Sequence, residues 1–400
     1  MTHDTDQDND PFKISIALEA VRMNYARKKF FEKGLGTLLA DEHFLLLYVP
    51  DNGAKMKIIR PASDPYHRQR MIKRINEAQS IPSFYYALSH LWGVTEENRY
   101  YWNDISQYVD DEEGQPVKPV FMRPEKRDTL LTMLRDHPDS YWWVDVLCAR
   151  TDTPLDIMGN IYACCLECVA MIDCQPSLIP QINTAISTYP FTQGSLVHGE
   201  KLRELVALYL AMMQSQWWSR VWTWQEMVLP FGKVRFMSET GTHLQGNTIT
   251  FENLCDSYLK LLARSSFIEN HRPMQDAMMV KDWVGDIANT KLYFKNRVSK
   301  VGVYTPQIVL LALSKSTRRC MDPVDYVYGV LGIFQIKMPR LKDPNAVWQL
   351  FLTKIQDHVE ERWSQSILTQ EISPRAQRVD LLNVENMGDV YKDFIKFSDA

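Results

Sequence analysis

Trp218, Trp222 and Glu226 follow one another at intervals of four residues, so on a helix two indole rings and a carboxylate share one face. Beside them Trp217, Val221, Trp224 and Val228 recur at i, i+4, i+7 and i+11, an apolar stripe that reads as core. A helical acid commonly pairs with a base one turn away. The neighbours of Glu226 at that spacing are Trp222, Thr223, Leu229 and Pro230, none of them cationic. Pro230 also ends the helix, which sets the carboxylate towards the negative end of its dipole. An acid in apolar, dipole-opposed surroundings has a raised pKa, as acid–base and charge-stabilising groups do. The plainer alternative is a structural carboxylate that bonds a neighbouring loop.

Two further segments carry groups able to do chemistry. Tyr85–Gly93 ends an aromatic strand with Ser89, His90, Trp92 and Gly93, and ligands of open α/β sheets bind just beyond the carboxyl ends of strands. Its alternative has Trp92 packed over the sheet and His90 on the surface. In Trp142–Leu147, Asp145 interrupts an apolar strand, and a buried carboxylate needs partners, for which Arg150, Arg220 or backbone amides are available. A zinc site at Cys165 and Cys168 lacks a second ligand pair, so the cysteines read as buried thiols. The sequence has no His-Glu-x-x-His, Walker, Gly-x-Ser-x-Gly or acid-rich calcium-loop motif. His358–Glu361 reads as a solvent face of an amphipathic helix.

The elements that must hold these groups alternate between strand and helix. Phe12–Lys33 has helical spacing closed by Gly34 as a C-cap. Asn52-Gly53 between His43–Val49 and Lys55–Ile59 is a hairpin signal. Asp64–Glu77 connects to a strand at Phe84–Leu88, and Thr95–Lys118 reads as an acidic surface loop. Pro124 opens a helix bearing Leu130, Leu131 and Leu134, Ile157–Glu167 is helical, and Cys168–Ile172 and Lys233–Met237 are strands. Leu202–Met213 and Trp217–Met227 read as helices, as do Gln307–Ser314, the turn at Tyr326–Phe334, and Asn345–Glu361. The stretch Thr240–Thr305 reads as an irregular, partly helical insertion. Alternation at this spacing implies an α/β fold with a parallel sheet and right-handed crossovers.

Four hundred residues, 45% of them hydrophobic, suffice for a large core without cross-links. A net charge of −4 supplies no basic field for nucleic acid. The acidic start of the chain is unlike a secretory signal, and no apolar run approaches the roughly 20 residues of a membrane span. With seven cysteines, an odd number, these features point to a reduced, cytoplasmic protein.

Taken in order, Tyr86–Gly93, Trp143–Cys148, Met158–Tyr162, Arg220–Glu226 and Asp322–Gly332 resemble the HET domain of fungal heterokaryon-incompatibility proteins. The resemblance spans about residues 80–335, leaving 1–79 as an N-terminal extension of acidic tail, helix and hairpin, and 336–400 as a C-terminal helical extension. It implies non-self recognition leading to cell death, and a TIR-like (flavodoxin-like) parallel sheet flanked by helices. Trp222–Glu226 is similar to the motif by which enzymatic TIR domains cleave NAD, so the resemblance makes Glu226 the catalytic residue and NAD a substrate, with no cofactor or metal. Ser89, His90, Trp92, Gly93, Asp145, Cys148, Arg150, Trp218, Arg220, Trp222 and Gln225 are the residues it places at the substrate, with Trp92, Trp218 or Trp222 stacking the leaving base. The implied partners are NAD or a related nucleotide, and a second copy or another incompatibility protein. The family continues its second motif as Cys-Ile-Asn-Gln, whereas this chain reads Cys148-Ala-Arg-Thr, which leaves Arg150 to replace a lost polar contact. A module that docks a partner without turnover is the alternative function.

Overall fold

The computed structural model describes residues 11–21, 23–93, 99–188, 199–241, 245–262, 272–302, 305–363 and 373–394. Its centre is four parallel strands: β3 (Tyr85–His90), β7 (Ser140–Val144), β8 (Glu167–Ile172) and β9 (Lys233–Ser238). Nearly every residue in β3, β7 and β8 is buried, which is why these strands read as unbroken apolar runs rather than alternating ones. Across the sheet they lie in the order β7-β3-β8-β9. The chain therefore leaves β3 to one side, forms β7, and crosses back to form β8 on the other side. That reversal is a topological switch point at the carboxyl ends of β3 and β8, the place where open α/β sheets hold ligands.

Antiparallel strands extend the sheet. β1 (Leu46–Val49) pairs with β7 and with β2 (Met56–Ile59), to which β5 (Val109–Asp110) adds in parallel, and β10 (Thr248–Thr250) pairs with β9. The β1–β2 hairpin turns at Asn52-Gly53 as expected, with Gly53 at φ +70°. β4 (Tyr101–Trp102) and β6 (Val120–Phe121) form a separate ribbon, so the described part of Thr95–Lys118 is more ordered than a surface loop. One reason is Glu112, which accepts from Arg60 at 3.1 Å and from Arg150 at 3.2 Å.

Helices cover both faces, as the sequence predicts. Three expectations need correction. The helix Tyr25–Ala40 runs through Gly34, which serves close packing rather than capping: a Cβ there would lie 2.9 Å from Cys164 Sγ. The stretch Thr240–Thr305 contains the helices Phe251–Leu262 and Arg272–Ser299, the latter 28 residues long. Its buried stripe of Val280, Val284, Ile287, Phe294 and Val298 includes Lys291, whose charge masks the apolar period in the sequence. Trp217–Met227 is not one helix, for reasons given below. The chain's final described segment returns to the helix Pro344–Trp363, where Tyr391 and Phe394 pack on Trp348 at 5.8 and 6.0 Å. The side chains of His358–Glu361 lie outside the described residues. No helix among the described residues is long and apolar enough to cross a membrane.

Candidate functional site

Each central strand delivers a polar residue to the same edge. Ser89 and His90 end β3, Asp145 follows β7, Asp173 follows β8, and Glu239 follows β9. Asp145 does not interrupt its strand but ends it, opening the single helical turn Asp145–Cys148.

The glutamate segment is built in two pieces. Gln216–Ser219 is a 3-10 turn, and Glu226 belongs to the six-residue helix Thr223–Val228. Between them the backbone is extended because it pairs with Arg319: Val221 N–H donates to Arg319 O at 3.1 Å, and Arg319 N–H to Ser219 O at 2.6 Å. Asp173 anchors the first piece by accepting from the N–H groups of Gln216 (2.9 Å) and Trp217 (3.1 Å). The break removes Trp218 from the Glu226 face and into the core, 4.5 Å from both Trp217 and Trp283. Trp222 and Glu226 remain one turn apart.

Glu226 is 5% exposed. The Ser89 hydroxyl donates to Glu226 Oε2, and in turn accepts from the Trp217 indole Nε1–H at 2.8 Å. Burial pushes the Glu226 carboxyl up to about 7, against the opposing influence of Arg220, Ser89 and Arg318. Burial therefore supplies the raised pKa. The helix dipole does not, because so short a helix has Glu226 in its first turn. Arg220 donates to His90 O at 2.8 Å. The buried Arg318 donates to Arg220 O at 2.9 Å and to Thr223 Oγ1, and lies 4.9 Å over the Trp224 ring. Burial lowers its guanidinium to about 9. Asp325 is raised to about 6 by burial, opposed by the Trp222 indole that it bonds.

Around Asp145 the plainer alternative is reversed: His90 is buried and Trp92 is 37% exposed. Trp92 Nε1–H donates to Asp145 Oδ2 at 2.6 Å, and His90 Nε2 lies 3.0 Å from Asp145 Oδ1. Burial pushes the Asp145 carboxyl up, but His90, Trp92 and Arg220 outweigh it and hold the group below its ordinary range. His90 is lowered by burial and by Lys126, against the opposing influence of Asp145 and the Leu91 carbonyl. Lys126, fully buried, reaches His90 Nδ1 at 2.8 Å and donates to Leu91 O. Burial lowers its amine to about 7, while Glu239 and Asp145 oppose the shift. Glu239 pairs with Arg123 at 3.0 Å.

Ser89, His90, Trp92, Asp145, Arg220, Trp222 and Glu226 thus come together at the sheet edge. Gly93 turns the chain beneath the β4–β6 ribbon, where a Cβ would lie 2.6 Å from Met122 N. Four residues fall elsewhere. Gln225 spans to the fifth motif, donating to Tyr328 O and accepting from Gly332 N, both at 3.0 Å. Cys148 is buried and its thiol is pushed up to about 12 by burial. Arg150 bonds Leu147 O at 2.5 Å and Glu112, not Asp145. Trp218 is core. Sequence reasoning missed Lys126, Arg318, Asp173 and Glu239, and took Trp217 for core alone. Nothing in their local spacing marks them, although Asp325 lies within a motif already singled out. Among the described residues no group of His, Cys, Asp or Glu is arranged to hold a metal ion.

Among known families, residues 85–226 fit the model of the Heterokaryon incompatibility protein (HET) family. No curated protein and no solved structure matches the chain. The matched span begins at the first residue of β3 and ends at Glu226, so it encloses both partners of the Ser89–Glu226 bond. This chain therefore carries a heterokaryon-incompatibility (HET) domain, and its residues 85–226 belong to that family.

Proposed function

We propose that the chain is an effector of heterokaryon incompatibility that cleaves NAD or a related nucleotide at the N-glycosidic bond, with cell death as the outcome. The observation that carries this reading is the Glu226 carboxyl, buried at the carboxyl edge of the parallel strands and held through one oxygen by Ser89. Departure of nicotinamide takes the bonding electron pair to the ring nitrogen and leaves oxocarbenium character on the ribose. A fixed carboxylate stabilises that charge until water adds and loses a proton. Titration near 7 is suited to this work, since the approaching cationic ring and Arg220 both favour the ionised form. Trp92 and Trp222, each fixed through its indole to an aspartate, offer flat faces for a base, and Arg220 offers a cation for phosphate. The working unit in this reading is a TIR-like domain over residues 80–335, because Gln225 ties the glutamate helix to Tyr328 and Gly332. It acts in the cytoplasm.

Purified protein incubated with NAD is expected to release nicotinamide, and Glu226→Gln to lower the rate about 100-fold or more. Equal release from both would remove Glu226 from the chemistry. One observation favours a second reading, a module that self-associates or docks a partner without turnover: Arg150 is committed to Glu112, so the altered Cys148–Thr151 loop supplies no replacement contact at Asp145. That reading predicts no nicotinamide at any concentration, and assembly detectable by light scattering.

A further inference from the structure

Arg318 is 3% exposed, and a guanidinium shut off from water must find its acceptors within the protein. It lies outside the family-matched span, between the helix Pro306–Ser314 and the single helical turn Asp325–Tyr328. Its backbone is held on both sides: Arg319 pairs with Ser219 and Val221, and Met387 N–H donates to Arg318 O at 2.8 Å. Arg318 Nη1 donates to Arg220 O at 2.9 Å and to Thr223 Oγ1. An arginine only donates, so the Thr223 hydroxyl accepts from it and turns its own proton towards the carbonyls of Trp217 (3.0 Å) and Arg220 (2.8 Å). One side chain thus joins the 3-10 turn Gln216–Ser219 to the helix Thr223–Val228 across the extended break. The first piece carries Trp217, whose indole bonds Ser89, and the second carries Glu226, to which Ser89 donates.

A neutral donor would make this clamp with less loss of hydration, so the charge calls for a reason of its own. The acceptors of Arg318 are uncharged, and the carboxylate that favours its charge is Glu226. Facing Glu226 are Arg220 and Arg318, which favour its ionised form, and Asp145, which opposes it. Tyr162 and Cys168 also face it, and burial keeps both neutral. Of the two cations, Arg220 is partly exposed and open to screening by solvent, whereas Arg318 is buried.

We propose that Arg318 is a positioning residue which clamps the two pieces of the glutamate segment together and supplies the buried positive charge that keeps Glu226 ionised during bond cleavage. The kinetic part rests on the nucleotide-cleavage reading, while the clamp and the charge are properties of the free protein.

The test has two arms. In the free protein, carbon-13 NMR of labelled glutamate, with Glu226→Gln to assign the resonance, is expected to show the Glu226 titration displaced upward in Arg318→Met. Arg318→Lys, which retains a cation, should leave it near its wild-type position. In the nicotinamide assay, R318M is expected to lose about tenfold or more in kcat at pH 6 and less at pH 9, with KM within about threefold, because the displaced titration lowers the ionised fraction. R318K should recover most of that loss. An arginine that only holds the fold predicts equal losses at both pH values, with lysine no better than methionine. That result, or an unmoved Glu226 titration in R318M, would overturn the proposal. If the wild type releases no nicotinamide, the cleavage reading fails and the NMR arm still decides whether Arg318 sets the charge of Glu226. If R318M does not fold, Arg318→Gln, whose amide donates without a charge, is read in both arms against R318K, with the same displacement expected.

Discussion

Replacing Glu226 by glutamine separates the cost of its charge from the shape of its site, because the amide oxygen still accepts from Ser89. The folded carboxyl titrates near 7 against an ordinary 4.5, so between those values the folded state holds a proton that the unfolded chain has released. Stability therefore falls as pH rises through this window. The penalty is absent below 4.5 and complete above about 7. Glu226→Gln is expected to gain roughly 2–3 kcal/mol over wild type at pH 8 and nothing at pH 4, read from urea midpoints at both values. Ser89→Ala removes a donor from Glu226 and leaves the Trp217 indole without its acceptor. It should cost about 1–3 kcal/mol and move the Glu226 titration further up, followed by NMR of its carboxyl carbon. At this scale the sequence anticipated the raised pKa of Glu226 but not its cause. An absence of local cations is visible in a helical pattern; burial beneath a sheet edge is not.

At the scale of elements, the glutamate helix is held by contacts from distant parts of the chain. Lys291 donates to Met227 O at 3.2 Å and Pro230 O at 2.9 Å, supplying the carbonyls at the helix end with a cation. Lys291→Met should leave them unpaired and cost about 1–3 kcal/mol, measured by denaturant unfolding. Gly332 approaches Gly159 so closely that a Cβ would lie 2.7 Å from Gly159 Cα and would overlap Gln225 Oε1. Gly332→Ala must displace Gln225, the neighbour of Glu226, and is expected to lose about 1–3 kcal/mol together with most nicotinamide release. Retention of full activity would show that the fifth motif does not position the helix. The strands and the hairpin were legible because each is specified by its own residues. The length of Arg272–Ser299 was hidden because its buried stripe carries Lys291.

Across the whole molecule the seven cysteines are free thiols, and burial raises their pKa values. Cys148, Cys164, Cys165 and Cys168 are buried, so a thiol reagent at pH 8 should reach at most Cys174, Cys255 and Cys320 in the native protein. All seven should react after unfolding; rapid native labelling of more than three would show that the core opens locally. By itself the sequence determined the α/β class, the main strands, the Asn52-Gly53 turn and the absence of a local cation beside Glu226, since period, turn chemistry and neighbours at i±4 are local quantities. The tertiary structure alone decided the β7-β3-β8-β9 order that creates the switch point. It also decided the break before Thr223, the Ser89–Glu226 bond and the reach of Lys126 to His90. Those contacts join residues 36 to 137 positions apart, and no periodicity encodes which distant partner will satisfy a buried polar group.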